Sequence, residues 1–384
     1  MNWSSLADTR VGNCSVVVVC GSGGVGKTTT SAALGMSLAC APGKNVLVLT
    51  VDPARRLATA LGLERIGAEP VAISTRQRLQ AGIEGEGGLA VAMLDPKSVW
   101  DRVIDQYSPS QEVADRIMSS RIYEGISSAF VGSQEYVGME ALYELYHAHE
   151  FDQIILDTPP SRSALDFLDA PQQFSDFVGA RLLSWLAAPS RIGLRAMNFA
   201  ATPLLRAVDR LLGGEMVQEM AVFIRDIQSL YSGIQQRSRD VYDLMRSPET
   251  AFLLVTTPEQ RTMAEASYFQ RRLKEHGMPL SGVVVNRVLP DFGHVDEATS
   301  LAETLVERGT GSGTADAAAT GRVAAAEGYL AFAGMLSQQT EASRLLDRFG
   351  VPLVAVPWGI PDIASMDAVA RVALSLGAIP ARTS

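Results

Sequence analysis

The sequence predicts an α/β fold in which a mostly parallel β-sheet is flanked by helices and a helical subdomain is inserted between strands. Seven short runs of β-branched and other apolar residues recur along the 384 residues, separated by longer helical patterns. This alternation is typical of a parallel sheet covered by helices, and continuous apolar runs suit strands buried on both faces. The length allows two or three domains, and we expect one domain over 1–384 that carries insertions.

The seven predicted strands are Ser15–Cys20, Val46–Val51, Leu89–Leu94, Gln153–Leu156, Phe252–Thr256, Gly282–Val285 and Val351–Val356. Strand patterns disappear over 97–150 and 172–246, where we predict the helical insertions. In the second insertion, apolar residues from Met216 to Ile234 recur every three or four positions, which predicts a helix with one apolar face. We expect this face to pack on neighbouring helices, and the alternative is an exposed groove for a client protein.

Residues 309–327 differ from both patterns, because they are rich in glycine, alanine, threonine and serine. Such small and polar side chains contribute little to a hydrophobic core. We therefore predict a flexible loop over 309–327, with a weak helix as the alternative.

The composition excludes several classes of protein. Hydrophobic residues make up 47% and charged residues 20%, which is typical of a folded globular chain rather than a disordered one. The charges sum to 33 − 42 = −9, so the chain has no general attraction for nucleic acid or anionic lipid. No apolar run approaches the ~20 residues of a membrane span. The start of the sequence lacks a secretory pattern and the three cysteines form no C-x-x-C pair, so we expect a cytoplasmic protein.

The strongest functional signal is a phosphate-binding loop that follows the first predicted strand. The sequence GSGGVGKTT satisfies G-x-x-x-x-G-K-[ST] and precedes a helical segment, as this motif requires. Backbone N–H groups of such a loop bind phosphate oxygens, and the start of the following helix adds positive charge. Lys27 is then expected to contact the β- and γ-phosphates, and the Thr28 hydroxyl to bind Mg²⁺. The predicted ATP-binding residues of the loop are Gly21, Ser22, Gly23, Gly24, Val25, Gly26, Lys27, Thr28 and Thr29.

Two aspartates end other predicted strands. Asp157 follows the run QIIL, and Asp52 follows VLVLTV and precedes Pro53. Both are expected at the carboxyl edge of the sheet, where open α/β sheets bind their ligands. Asp157 is the candidate second ligand of Mg²⁺, with a helix N-cap as the structural alternative. Asp52 suits a residue that orients or deprotonates the attacking water, which makes Lys27 and Asp52 the candidate catalytic residues.

These segments together resemble a known family. The loop GSGGVGKTT, the segment VDPARR and the segment DTPPSRSALDFLDAP are similar to those of the ArsA-type ATPases, which include the guided-entry targeting factors for tail-anchored membrane proteins. The resemblance continues through TTPE at 256–259, VVVNRV at 283–288 and VPLVAVPW at 351–358. It implies a magnesium-dependent ATPase that works as a dimer.

The resemblance also implies roles for single residues. Asp52 corresponds to the family's water-activating residue, and Asp157 with Thr28 to its Mg²⁺ ligands. Asn286 matches the asparagine that reads the adenine base, which suits an amide that can both donate and accept. Pro357 and Trp358 lie where the family closes a loop over the base. The structural alternatives are that Asn286 forms a turn at the strand end and that Trp358 belongs to the core.

Three departures limit what the resemblance implies. Ser22 stands where the family has a lysine that reaches the partner subunit's nucleotide, and a hydroxyl cannot supply that charge. Cys14, Cys20 and Cys40 do not form the zinc or metalloid site that some members carry. Ser163 replaces a histidine that is usual in the second switch segment. No metal other than Mg²⁺ is indicated.

The sequence therefore favours an ATPase whose nucleotide state changes the dimer and the helical subdomain, coupling hydrolysis to a protein client or partner. The first alternative is a nucleotide-binding partner subunit with little ATPase activity, and a small-molecule kinase is a third class. Because Ser22 cannot serve a partner's nucleotide, we predict a hetero-oligomer with a paralogous ATPase subunit that retains the lysine. The alternative is a homodimer in which another basic residue, such as Arg55 or Arg162, substitutes for it.

Overall fold

The computed structural model describes residues 6, 9–52, 55–123, 134–158, 214–290, 295–309, 317–359, 365–377 and 379–380. Its main feature is an eight-stranded sheet with the order β3-β5-β2-β6-β1-β7-β8-β9, parallel except for the edge strand β3. A separate antiparallel pair joins β4 to β10. The strands are β1 (Val16–Cys20), β2 (Asn45–Thr50), β3 (Val71–Ile73), β4 (Ile83–Glu84), β5 (Gly88–Met93), β6 (Gln153–Asp157), β7 (Thr250–Thr256), β8 (Leu280–Val288), β9 (Leu353–Pro357) and β10 (Ile379–Pro380).

The predicted fold class is confirmed, and each of the seven predicted strands is present with ends that differ by a few residues. The prediction missed β3, β4 and β10, which have two or three residues each. Runs this short carry no measurable alternation of apolar and polar side chains, so their pairing depends on neighbouring strands rather than on their own pattern.

The sheet is buried on both faces, and alternate side chains of one strand enter different cores. In β1, Val16, Val18 and Cys20 belong to one hydrophobic cluster, whereas Val17 and Val19 belong to the other. All five residues of this strand are buried. Continuous apolar runs in the sequence therefore reflect a sheet covered by helices on each side.

The helices cover the two faces unequally. The described helices are α1 (Arg10–Asn13), α2 (Lys27–Leu38), α3 (Arg56–Ala60), α4 (Thr75–Gln80), α5 (Pro96–Tyr107), α6 (Gln111–Met118), α7 (Gln134–Ala148), α8 (Gly214–Arg246), α9 (Gln260–Glu275), α10 (Val295–Gly309), α11 (Ala317–Asp347) and α12 (Met366–Ser375). Side chains of α2, α3 and α12 share a cluster with one face of the sheet, and side chains of α5 to α9 share a cluster with the other face.

Where the structure describes the two predicted insertions, they are helical. The first contains α5, α6 and α7, and the second contains α8, while 172–213 lie outside the described residues. Phe223, Leu230 and Ile234 of α8 are buried in the same cluster as α5, α6 and α7. These members of the apolar face are therefore packed on neighbouring helices, as predicted, and Phe223 also lines an open cavity of about 370 Å³.

The prediction of a flexible loop over 309–327 is wrong for 317–327, because these residues begin the long helix α11. Residue 309 ends α10, and 310–316 lie outside the described residues. Alanine has the highest helix propensity of all residues, so an alanine-rich segment forms helix even without an apolar face. Further along α11, the Gln339 amide accepts a hydrogen bond from Leu289 N (2.7 Å) and donates one to Leu289 O (3.0 Å), which fixes the helix beside the end of β8.

Among the residues that the structure describes, no helix combines the length and the apolar character needed to cross a membrane.

Candidate nucleotide-binding site

The order of the strands brings the predicted site residues together. β2, β6 and β1 are neighbours in the sheet and run parallel, with Thr50 and Val19 both in register with Asp157. The carboxyl ends of parallel strands lie at one edge of a sheet, where ligands of open α/β folds bind. The loop after β1, the carboxylate at the end of β6 and Asp52 after β2 therefore meet at this edge.

Two glycines give the loop its shape. Gly26 is the N-cap of α2 and has φ +100°, in the left-handed region that other residues rarely adopt. A Cβ atom there would overlap the amide nitrogen of Asn286, and one at Gly21 would overlap the carbonyl oxygen of Val255. The motif thus needs glycine at these positions because strands β7 and β8 approach the loop closely.

Lys27 is the first residue of α2 and is buried, with 6% of its surface exposed. Its ammonium group donates hydrogen bonds to the carbonyl oxygens of Gly21 (2.9 Å) and Ser22 (3.0 Å). Burial lowers the pKa of Lys27, and the nearby carboxylate of Asp157 opposes this effect. The lysine is therefore held across the loop by backbone carbonyls, close to where phosphate oxygens bind in loops of this type.

Asp157 is completely buried and is surrounded by hydroxyl groups. Thr28 donates to its Oδ2 atom (2.8 Å), Thr50 donates to the same atom (3.0 Å), and Ser31 donates to Oδ1 (3.4 Å). Burial raises the pKa of Asp157 to about 6, although these hydrogen bonds and Lys27 favour the charged form. The predicted pair of oxygen donors, Thr28 and Asp157, is thus brought into direct contact.

Asp52 lies close to this group. Its backbone N–H donates to Thr50 Oγ1 (3.2 Å), and its carboxylate forms an ion pair with Arg56, with 3.5 Å between Asp52 Oδ2 and Arg56 Nε. The sequence did not predict that Thr50 and Arg56 would contact Asp52. Thr50 binds Asp157 and the backbone of Asp52 at once, which no local pattern indicates. Arg56 follows Asp52 by four residues, and that spacing at the start of a helix was the available signal.

An open cavity of about 310 Å³ lies over the loop. Its lining combines predicted phosphate-binding residues, the magnesium candidate Thr28 and the water-activating candidate Asp52 with Arg56 and Thr158, whereas the buried Asp157 does not line it. The lining residues are Gly24, Gly26, Lys27, Thr28, Thr29, Asp52, Arg56, Thr59, Ala60 and Thr158. A neighbouring cavity of about 210 Å³ shares Asp52 and is lined by Arg55, so Arg55 and Arg56 face different cavities. Arg162 and Ser163 lie outside the described residues.

Asn286 contacts the loop from β8. Its side chain donates to the carbonyl oxygen of Val25 (2.8 Å) and accepts from the N–H of Arg287 (2.9 Å). The second contact is local and lies where the pairing of β8 with β9 shifts register, so Asn286 is within the strand and does not form a turn at its end. Arg287, which the sequence prediction missed, has φ +59° and donates to Gly24 O (3.3 Å). The end of β8 is therefore tied to the phosphate-binding loop by two side chains.

Pro357 ends β9, and Trp358 follows it. The N–H of Trp358 donates to Val288 O (2.8 Å), which ties this loop to β8. The residue is 58% exposed. The alternative in which Trp358 belongs to the core is therefore wrong, and its indole lies on the surface.

The described residues contain no group of three or more histidines, cysteines, aspartates or glutamates that could hold a metal ion. A hydroxyl and a carboxylate oxygen at hydrogen-bond distance nevertheless fit Mg²⁺, which binds to one or two protein oxygens and takes its other ligands from water and phosphate. The chain therefore has the features of a P-loop nucleotide-binding protein: a parallel sheet, a glycine-rich loop after its first strand, Lys27, and the oxygen atoms of Thr28 and Asp157.

The comparison with protein families specifies this class further. Residues 14–303 match the model of the anion-transporting ATPase family, and the chain belongs to that family of ATPases. It is 27% identical over 276 residues to the ATPase get3 of Schizosaccharomyces japonicus, a match that covers 72% of this chain and 75% of that protein.

Two further relatives show the range of the family. A putative arsenical pump-driving ATPase 2 of Aquifex aeolicus is 24% identical over 276 residues, which covers 71% of this chain and 79% of that protein. The ATPase ARSA1 of Chlamydomonas reinhardtii is 27% identical over 296 residues, 71% of this chain but 35% of that protein. The chain thus spans about a third of the length of that relative.

Proposed function

We propose that this chain binds ATP with Mg²⁺ in the 310 Å³ cavity and hydrolyses the bond between the β- and γ-phosphates. One observation carries the proposal: a single cavity is lined by Lys27, Thr28 and Asp52, and the Thr28 hydroxyl donates a hydrogen bond to the buried carboxylate of Asp157. Phosphoryl transfer requires positioning and charge stabilisation more than covalent chemistry, and these groups supply both.

The binding roles follow from the contacts. Lys27 exchanges its backbone acceptors, Gly21 O and Ser22 O, for phosphate oxygens, since an ammonium group on the loop interacts more strongly with an anion than with a carbonyl. Thr28 and Asp157 would hold Mg²⁺, which when bound neutralises negative charge on the phosphates. Backbone N–H groups of the loop and of the first turn of α2 bind the remaining oxygens.

The chemical step needs a group that accepts a proton. The water oxygen forms a bond to the γ-phosphorus, the bond from that phosphorus to the bridging oxygen breaks, and ADP leaves with the electron pair. Asp52 accepts the proton of the attacking water. Its backbone is fixed by Thr50, which also binds Asp157, so the base and the proposed metal ligand are held in one hydrogen-bonded unit.

The base of the nucleotide would lie towards β8 and β9. Asn286 uses one amide hydrogen for Val25 O, which leaves its second hydrogen and part of its oxygen for the adenine edge. Trp358, exposed beside the end of β8, offers an aromatic surface for the adenine base, next to Pro357.

We propose further that nucleotide state changes a dimer and its helical subdomain in the cytoplasm, for the handling of a protein client or partner. The relatives' names, which refer to ATPase and to the driving of an arsenical pump, support coupled ATPase work but do not name a shared client. Because Ser22 cannot supply a charge to a partner's nucleotide, a hetero-oligomer with a paralogous ATPase remains our prediction. Native mass measurement after co-expression tests it, and a stable homodimer that ignores the paralogue would contradict it.

Asp52→Asn tests the proposed chemistry. The amide keeps the size of the side chain but cannot accept a proton, so ATP affinity should stay within about threefold while turnover falls on the order of a hundredfold. Calorimetry with Mg²⁺·ATP and a phosphate-release assay measure the two quantities. Equal losses of binding and turnover would make Asp52 a structural residue instead.

Two outcomes favour the alternative functions. Wild-type protein that binds ATP without releasing phosphate, alone or with the paralogue, supports the partner subunit that hydrolyses little ATP. Transfer of the γ-phosphate of radiolabelled ATP to a small-molecule acceptor supports a kinase.

A further inference from the structure

The proposed mechanism leaves one charged side chain of the nucleotide cavity without a role. Arg56 is the first residue of α3 and lines the cavity together with Lys27 and Asp52. Among the residues that line this cavity, Lys27 and Arg56 carry the positive charge. A triphosphate bound over the loop would therefore meet two cations.

The two cations are held differently. Lys27 is buried and donates to two backbone carbonyls. Arg56 is exposed over 57% of its side chain, and its Nε atom lies 3.5 Å from Asp52 Oδ2. Only the arginine end of this pair is exposed, since 9% of the Asp52 side chain is accessible, and 3.5 Å is a long separation for an ion pair. Arg56 can thus exchange Asp52 for a stronger anion without disturbing the fold.

A phosphate group is such an anion. The guanidinium plane presents several N–H donors in a rigid fork that matches two phosphate oxygens at once, whereas its present contact to Asp52 runs through Nε. The γ-phosphate also carries more negative charge than one carboxylate. Bound ATP should therefore compete successfully with Asp52 for Arg56.

We propose that Arg56 is a catalytic arginine supplied by the chain itself: it neutralises Asp52 in the empty cavity and moves to the γ-phosphate when ATP binds. This inference rests on the proposed ATPase function. The move stabilises the charge on the γ-phosphate oxygens while the bond to the bridging oxygen breaks. It also ends the ion pair between Arg56 and Asp52, whose carboxylate then accepts the proton of the attacking water.

This exchange depends on the third phosphate. ADP has no γ-phosphate, so with ADP bound Arg56 stays paired with Asp52. The residue should therefore contribute to the affinity for ATP and to turnover, and little to the affinity for ADP. A residue that merely shapes the cavity would affect both nucleotides alike.

Arg56→Ala and Arg56→Lys test the proposal in the full-length chain. The control is Arg261→Ala, because Arg261 is also an exposed arginine paired with an acidic residue four positions away, 3.4 Å from Glu265, but on α9 and with a more exposed carboxylate. Affinities are measured by calorimetry with ADP and with a non-hydrolysable ATP analogue, and turnover by phosphate release. Circular dichroism verifies that each variant is folded.

We expect Arg56→Ala to lower the affinity for the ATP analogue about tenfold and to lower turnover on the order of a hundredfold. Its affinity for ADP should stay within about twofold of the wild-type value. Arg56→Lys should recover part of the turnover because it retains the charge but loses the fork. Arg261→Ala should behave as wild type.

Three results would overturn the inference. They are unchanged turnover in Arg56→Ala, an equal loss of affinity for ADP and for the ATP analogue, or equal changes in affinity and turnover in Arg56→Ala and in the control. If Arg56→Ala does not fold, wild-type turnover and a wild-type preference between ATP analogue and ADP in Arg56→Lys would overturn the inference. Wild-type protein that binds no ATP would instead contradict the proposed function, together with everything that rests on it.

Discussion

Asp157 is a carboxyl group that the fold buries completely at the end of β6. Three hydroxyl groups surround it, yet its pKa is raised to about 6, because hydrogen bonds do not fully replace the water that a charged carboxylate loses. Relative to its usual value of 3.8, this pKa corresponds to about 3 kcal/mol of destabilisation of the folded chain at neutral pH. A cation bound at Thr28 and Asp157 would remove this cost.

Asp157→Asn should therefore stabilise the metal-free protein while it weakens magnesium-dependent ATP binding. The amide is neutral, and the surrounding hydroxyls can either donate to it or accept from it. At pH 7.5 in EDTA we expect a gain of up to about 3 kcal/mol in the free energy of unfolding, measured by urea denaturation. The exposed Asp243→Asn on α8 serves as a control and should change little.

The sign of the pH dependence follows from the raised pKa. The folded state binds more protons than the unfolded state between pH 3.8 and about 6, so the wild type loses stability as pH rises through this window. The advantage of Asp157→Asn should thus be roughly halved at pH 5 relative to pH 7.5. A variant that is less stable than wild type by equal amounts at both pH values would show that the hydrogen bonds, not the buried charge, dominate.

Single residues differed in how well the sequence predicted them. Asp52, Asp157 and Lys27 follow apolar strands, so the edge of the sheet fixed their place before any side-chain contact was known. Thr50 and Arg56 also contribute to the site, but their roles depend on which side chains meet across strands and helices. The four-residue spacing between Asp52 and Arg56 indicates that these two side chains can meet, whereas no sequence pattern indicates the contacts of Thr50.

At the scale of the elements, the helical insertions depend on charged contacts as well as on their apolar faces. Glu140 of α7 is fully buried and forms an ion pair with Arg237 of α8, with 2.7 Å between Oε1 and Nε. The same guanidinium lies 3.9 Å from the centre of the Tyr143 ring. This contact sets how α7 and α8 lie against each other in the described part of the insertions.

Arg237→Met should lower the free energy of unfolding by about 3–5 kcal/mol, because it removes the cation that faces a buried carboxylate. Glu140→Met combined with Arg237→Met should recover most of this loss, since two apolar side chains of similar volume replace two buried charges. Urea denaturation followed by circular dichroism measures both. A double variant that is no more stable than Arg237→Met would show that the rest of the helix interface, not the buried charge, sets the cost.

The elements themselves were predictable in proportion to their length and burial. The seven long strands carry continuous apolar runs and were found from sequence, whereas β3 has three residues and depends on pairing with β5. Residues 317–327 have too few large apolar side chains to show a helical period, and only their alanine content favoured the helix that they form. A helix or strand can therefore be predicted from the sequence when its burial requires apolar residues at regular positions.

The whole molecule explains why the site works as a unit. The sheet places β2, β6 and β1 side by side, so Asp52 as the proposed proton acceptor, the proposed metal ligand Asp157 and the phosphate-binding loop come from adjacent strands. β7 and β8 lie against the phosphate-binding loop at Gly21 and Gly26, so the shape of the loop depends on these two strands as well. Strand order could not be deduced from the sequence pattern, because apolar runs of similar strength do not specify their neighbours.

The central claim is that this edge of the sheet is an ATP site in which Lys27 is indispensable. Titration of Mg²⁺·ATP into the wild type and into Lys27→Ala, by calorimetry with parallel phosphate release, tests it most directly. We predict saturable one-site binding and turnover in the wild type, and a loss on the order of a thousandfold in turnover or complete loss of binding in the variant. Wild-type binding and turnover in Lys27→Ala would contradict the account.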